Sequence, residues 1–348
     1  MTMSDYGGKP PCKYFYNDDE DLGSRLDIYF DEVEKMVTRD YGGELSVLLI
    51  GSLAREEATW REYNGVKRLM SDIDFFIIHH GKRPDCDSLT EKLYGIAGCL
   101  ESEGISRSVY IHYTLVSATR LRKSEHLLVT YDASVFGRLV AGPDPKELMP
   151  VISGKSINPH DIRNILFHKL FDLLQDYHFF ASHEDREILE YRLVKSILDL
   201  QTVILYRLGF LETGTVNKNA RLMSLDAYKE FRPLFDHCTR RKLNLSPDSE
   251  ISIDSMTLAF LQMCTNEYNF FSSGHRERMR NLPYNFRHLL GTLKRSLEVG
   301  KFILPGRHFK RMIRSAGMGG ETDFMDLAHA HYVLMGYPLR KDMESFRL

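Results

Sequence analysis

Two short apolar runs constrain what this chain can fold into. "LSVLLI" at 45–50 ends at Gly51-Ser52, and "DIDFFII" at 72–78 opens on Asp72-Ile73-Asp74. Each run has the length and the β-branched and aromatic content of a buried strand. A carboxylate in such a run is costly unless something compensates it. Residues i and i+2 of a strand face the same way, roughly 6.6 Å apart along it. Asp72 and Asp74 therefore project together while Ile73 and Phe75 point into a core. At close range two carboxylates repel by on the order of 1–4 kcal/mol, and a divalent cation reverses the sign of that interaction. Mg²⁺ prefers oxygen and is typically held by one or two carboxylates together with substrate phosphates.

The first run supplies the complementary half. Gly51 lets a phosphate approach the backbone closely. Ser52 offers a hydroxyl and a backbone N–H to phosphate oxygen, at a point where a helix start is expected. Arg55, one turn on, is a candidate cation. One strand thus leads into a phosphate cradle and the next carries candidate metal carboxylates.

Around this pair, residues 21–39 place Leu26, Ile28, Tyr29, Phe30, Val33 and Val37 at helical spacing, 88–103 reads as a second helix and 108–117 as a third strand. Residues 1–20 are polar and aromatic, and are expected to form an extended arm. After "GPDP" at 142–145 strand-like runs become scarce, while helical patterns run through 161–181, 185–210, 225–233, 253–271, 284–299 and 324–336. The expected organisation is an arm over 1–20, an α/β unit over 21–150 and a helical unit over 151–348. The stretch 56–70 reads as a loop insertion.

Lys+Arg number 46 against 48 Asp+Glu, so the global charge gives no pull toward nucleic acid or anionic membrane. The charge is uneven, however: 275–314 holds eleven Lys/Arg and two acids. A solvated face and a phosphate-binding surface both fit that segment. The five cysteines form no C-x-x-C pair, which suggests neither a zinc site nor a disulfide framework, and reduced thiols in a cytoplasmic protein are the simplest reading. No apolar run reaches the roughly 18 residues of a membrane span.

Strand–Gly–Ser–helix followed by Asp-hydrophobic-Asp on the next strand resembles the DNA polymerase β-like nucleotidyltransferase superfamily. The stand-alone bacterial and archaeal kind, with a helical C-terminal domain as in aminoglycoside nucleotidyltransferases, is the best match. The motif here is "IGSLAREEATW" (50–60) with "SDIDFF" (71–76), and nineteen residues separate Ser52 from Asp72, more than in the compact form of the motif. The resemblance implies an α+β fold, a small mixed-sheet nucleotidyltransferase domain followed by an all-helical one. It implies that Gly51 and Ser52 hold the β- and γ-phosphates of an NTP such as ATP, and that Asp72 and Asp74 bind Mg²⁺, with Mn²⁺ as a substitute. The acceptor is then a small molecule, or an RNA end reached through the basic segment 275–314.

The superfamily adds a third carboxylate on a later strand. In 108–117 the matching position is Ile111-His112-Tyr113. Three readings stay open: His112 as the base, an acid from elsewhere in the chain, or a site without catalysis. The last would make the chain a nucleotide-binding regulatory module or a toxin–antitoxin component. Asp132 is one alternative acid, and equally suits a cap on a helix over 133–137. Lys195, in "EYRLVKSILDLQTVILYRLG" (190–209), matches the helix that in such enzymes turns a lysine toward the triphosphate. It shares a polar stripe with Tyr191, Asp199 and Thr202, so a surface lysine at ordinary helix spacing is the competing reading.

Overall fold

The computed structural model describes residues 13–17, 20–63, 66–102, 109–121, 127–153, 156–159, single positions between 161 and 172, and 186–273. The fold is α+β. Helix α1 (Glu20–Tyr41) leads into strand β1 (Leu45–Ile50), the single-turn helix α2 (Gly51–Ala54), a hairpin of β2 (Trp60–Tyr63) and β3 (Val66–Leu69), and strand β4 (Ile73–His79). Helix α3 (Cys86–Ser102), strand β5 (Ile111–Ser117), helices α4 (Ala118–Leu121) and α5 (Leu128–Phe136) and strand β6 (Arg138–Ala141) follow. Further on come α6 (Arg186–Arg207), α7 (Thr215–Ser224), α8 (Arg232–Lys242) and α9 (Ile253–Ser273).

The main sheet has the order β5-β4-β1-β6. β1 lies antiparallel to both β4 and β6, while β4 and β5 are parallel with α3 as the crossover. Both faces are covered, which is why the strands read as unbroken apolar runs. Val47, Leu49, Phe75 and Ile77 pack against α1 and α3, and Leu48, Ile50, Phe76 and Ile78 pack against Leu121 and Ala133. On α1 the buried stripe is Leu22, Leu26, Tyr29, Phe30, Val33, Met36 and Val37. Ile28, expected on that stripe, is 43% exposed, because two residues from Leu26 is half a turn out of phase.

Several elements differ from expectation. The stretch 56–70 is no plain insertion: Trp60 pairs with Leu69 and Tyr63 with Val66 in a two-stranded sheet. The sequence carried the cue, since Asn64-Gly65 is the dipeptide that favours a two-residue hairpin turn. The third strand starts at Ile111 rather than 108. Residues of the expected arm are built into the core, with Tyr14, Phe15 and Tyr16 all buried. The Tyr14 hydroxyl donates to Asp27 and its carbonyl accepts the Ala58 N–H at 3.1 Å. In place of a helix over 225–233 there is a 3₁₀ turn at Lys229–Phe231 running into α8. The helices expected over 284–299 and 324–336 lie outside the described residues.

The chain divides into two compact units. The first takes in 1–161, 209–232 and 236–248, and the second 162–208, 233–235 and 249–348. Much of 209–248, expected with the helical part, belongs with the sheet for identifiable reasons. The Glu57 carboxylate accepts the Thr215 N–H at the start of α7 and the Thr215 hydroxyl at 3.1 Å. Thr59 Oγ1 donates to the Lys242 carbonyl at 2.7 Å, and Arg61 donates to Asn244 Oδ1 at 2.7 Å. Tyr16, Val216 and Leu243 form a small buried cluster.

In the second unit α6 is buried on most sides between 193 and 205, with Leu193, Val194, Ile197, Leu198, Leu200, Val203, Ile204 and Leu205 buried together with the polar Ser196, Gln201 and Thr202. A helix of that kind sits at the centre of a helical core. Arg207 Nε pairs with the fully buried Glu267 of α9 at 2.8 Å.

Candidate functional site

The site grows from one corner of the main sheet. β1 ends at Ile50, which lies opposite Asp74 on β4. The next residue, Gly51, has φ +71°, a left-handed conformation in which glycine avoids the Cβ clash other residues meet. The close approach explains the glycine a second time. A Cβ on Gly51 would stand 2.6 Å from Asp74 Oδ2. The turn that carries Ser52 is therefore packed directly onto the second aspartate of the Asp-x-Asp pair.

Asp72 lies one residue before β4, whose first N–H, from Ile73, donates to the Tyr110 carbonyl at 2.8 Å. Asp72 and Asp74 are both half-buried, whereas Ile73 and Phe75 are buried, as the alternation requires. The position of Asp72 is tied down from behind. Ser71 is buried, its Oγ accepts the Thr59 N–H at 2.8 Å, and it also accepts from the buried Lys242 Nζ at 3.0 Å. The Met70 and Ser71 N–H groups both donate to the Thr59 carbonyl, closing the base of the hairpin.

His112 is exposed on β5, in parallel register with Asp74. Register neighbours on adjacent strands share a sheet face, so the structure brings His112 to the same side of the sheet as Asp74.

Arg55 and Asp132 have roles that sequence reasoning missed. Asp132 lies within α5, not ahead of it, so it is not a helix cap. Its Oδ2 accepts the Gly51 N–H at 2.9 Å and its Oδ1 pairs with Arg55 Nη1. Arg55 Nε also reaches Glu57 Oε2 at 3.4 Å. Burial works against the Arg55 charge, but the Asp132 and Glu57 carboxylates outweigh it and hold its pKa above the ordinary arginine value. The guanidinium expected to face phosphate is thus engaged by two acids. No local pattern brings Asp132 into this arrangement, since it lies 77 residues from Arg55 and 81 from Gly51. The helix expected after Ser52 is a single turn, Gly51–Ala54, and the Ser52 carbonyl accepts the Glu57 N–H at 2.9 Å.

Trp60 is half-buried against the first core cluster, with Lys67 Nζ 5.4 Å from its ring centroid. Its packing is accounted for by those neighbours.

Lys195 belongs to the second unit. There it is half-buried on α6, while Tyr191 and Thr202 of the expected polar stripe are buried. Asp199 pairs with Lys169 at 3.2 Å, and Asp172 lies 3.6 Å from the same ammonium. Burial works against the Lys169 charge, and the two acids offset it enough to raise its pKa in spite of nearby Lys195. The basic segment 275–314 lies outside the described residues.

Among the described residues no group of three or more His, Cys, Asp and Glu side chains gathers to hold a metal ion. Asp72 and Asp74 offer two hard oxygen donors, a set that suits Mg²⁺ when phosphates complete its shell. The space that a Cβ on Gly51 would fill lies against the same carboxylate. Among the described residues no helix is long and apolar enough to cross a membrane.

No family model and no curated protein matches this chain. A solved structure, spectinomycin adenyltransferase AAD(9) from Enterococcus faecialis with ATP and spectinomycin, is similar over 71% of this chain and 99% of that one. The identity is 16% and the TM-score 0.44. At that level of likeness residue roles do not carry across.

Proposed function

We propose that this protein is a nucleotidyltransferase that moves an NMP from an NTP to an acceptor hydroxyl. The observation that carries the reading is the seating of the Gly51-Ser52 turn on Asp74, at the corner where β1 and β4 meet. A phosphate cradle and an acidic pair on adjacent strands form a compact arrangement for holding a triphosphate. In this reading Gly51 and Ser52 bind the β- and γ-phosphates. Asp72 and Asp74 hold Mg²⁺, which when bound neutralises phosphate charge. The acceptor oxygen forms a bond to the α-phosphorus as the bond to the β-phosphate oxygen breaks, and pyrophosphate leaves with the electron pair. His112 is the candidate to take the acceptor proton, since a neutral imidazole accepts a proton near neutral pH.

The test is incubation with each labelled NTP, Mg²⁺ or Mn²⁺ and cell extract, reading both released pyrophosphate and the molecule that carries label. Asp72→Asn and Asp74→Asn are expected to abolish transfer with thermal unfolding unchanged. Full activity in both variants would rule out the metal assignment. The acceptor class is read from salt: RNA binding falls steeply with ionic strength because counterions are released, while a small neutral acceptor is insensitive to it.

A second reading is favoured by one observation: the position in register with Asp74 on β5 holds His112 where the superfamily pattern has an acid. A nucleotide-binding regulatory module would bind Mg²⁺–NTP yet release no pyrophosphate under any acceptor.

A further inference from the structure

Asp132 sits in the middle of the nine-residue helix α5, where aspartate is a poor helix former because its side chain competes for backbone groups. Long-range contacts account for it. One oxygen receives the Gly51 amide at 2.9 Å, the other the Arg55 guanidinium. Arg55 in turn returns to the same turn through its own N–H, which donates to the Gly51 carbonyl at 3.2 Å. Gly51 is therefore held at its N–H by the Asp132 side chain and at its carbonyl by the backbone N–H of Arg55, the residue whose guanidinium pairs with Asp132. That matters at a glycine, the residue with the most backbone freedom to lose, seated against Asp74. The element that delivers Asp132 is fixed: Ala133 is buried against Leu48, Ile50 and Phe76. Its C-terminal end closes on Gly137, where a Cβ would meet the Ala133 carbonyl at 2.3 Å.

We infer that Asp132 is a positioning residue: through the Gly51 amide and Arg55 it holds the Gly51-Ser52 turn in register with Asp74, and it is neither a helix cap nor the missing third acid. This rests on the nucleotidyltransferase reading of the site. Each oxygen accepts from a protein donor, and through these two contacts the carboxylate sets backbone geometry.

The experiment compares Asp132→Asn, Asp132→Ala and Asp74→Asn in the full chain. Binding of Mn²⁺ with each of the four NTPs is followed by the loss of the free Mn²⁺ paramagnetic resonance signal. The Gly51 amide resonance is followed in protein labelled with ¹⁵N-glycine. Asn keeps an oxygen for the Gly51 N–H and loses the charge. Asp132→Asn is expected to retain Mn²⁺–NTP affinity within about threefold and to leave the Gly51 resonance near its place. Asp132→Ala is expected to shift that resonance and weaken affinity about tenfold, since small misplacements at such sites are costly. Asp132→Glu, which keeps the charge but overreaches by a methylene, is expected to behave like Asp132→Ala and serves if the alanine variant does not fold.

Wild-type affinity in Asp132→Ala or Asp132→Glu overturns the assignment. So does loss of binding in Asp132→Asn as complete as in Asp74→Asn, which would make Asp132 a ligand in its own right. If the wild-type protein binds and Asp74→Asn does not, the nucleotidyltransferase reading stands and the Asp132 variants alone decide. If the wild-type protein binds no Mn²⁺–NTP, both fall together.

Discussion

Replacing Gly51 by alanine imposes two separable penalties on one residue. The first is conformational: φ is +71°, and a left-handed backbone costs an L-residue about 1–2 kcal/mol. A less flexible unfolded chain returns about 0.4–1 kcal/mol of that. The second penalty is steric. The new methyl would lie 2.6 Å from Asp74 Oδ2, against the 3.4 Å at which ordinary contact begins, so the carboxylate must retreat by about 0.8 Å. Holding Asp74 off its preferred rotamer adds about 0.5–1.5 kcal/mol. The expected loss of stability is about 2 kcal/mol.

Gly42 provides the control, because it has φ +55° and nothing within 4 Å of its would-be Cβ. Gly42→Ala should cost about 1 kcal/mol or less and leave the site alone. The functional contrast should be larger. A displacement of about 1 Å in a catalytic site can cost on the order of 10²-fold in rate, and with Asp74 displaced Gly51→Ala should also bind Mn²⁺–NTP more weakly than Gly42→Ala. Urea denaturation and titration with a fluorescent NTP read the two effects. Equal stability of the two variants, with nucleotide affinity in Gly51→Ala within twofold of wild type, would refute the reasoning.

Other outcomes follow from the same contacts. Ser52→Ala should weaken nucleotide binding by about 1–3 kcal/mol, the range for losing a hydrogen bond to a charged group; unchanged affinity removes Ser52 from the site. Phe75 is fully buried, with ring centroids 6.5 Å from Tyr29 and 6.2 Å from Phe30. Phe75→Ala should therefore destabilise by about 3–5 kcal/mol, and a loss under about 1 kcal/mol in a denaturation curve would contradict that packing. Glu57→Ala strands the Thr215 N–H and one contact of Arg55, for about 1.5–3 kcal/mol. Hydrogen exchange should then show α7 losing protection before the sheet does, and unaltered protection of 215–224 would count against the link.

The sequence by itself determined what short-range physics controls. The two apolar runs became β1 and β4 because both faces of the sheet are covered. The period of α1 set its buried stripe, and the alternation at Ile73-Asp74-Phe75 kept Asp74 out of the core. The dipeptide Asn64-Gly65 was a hairpin cue in the sequence, though strands β2 and β3 are only four residues each. The tertiary structure alone decided which groups surround Gly51. Asp132 lies 81 residues from Gly51 and 77 from Arg55, Thr215 lies 158 from Glu57, and the Lys242 carbonyl lies 183 from Thr59. At such separations no periodicity or local pattern relates the partners. An arginine that could have faced phosphate is held by the distant Asp132 as well as by nearby Glu57, and an aspartate that suited a cap receives a backbone amide. Much of 209–248 joins the sheet because buried hydrogen bonds there find their partners only when the chain is folded.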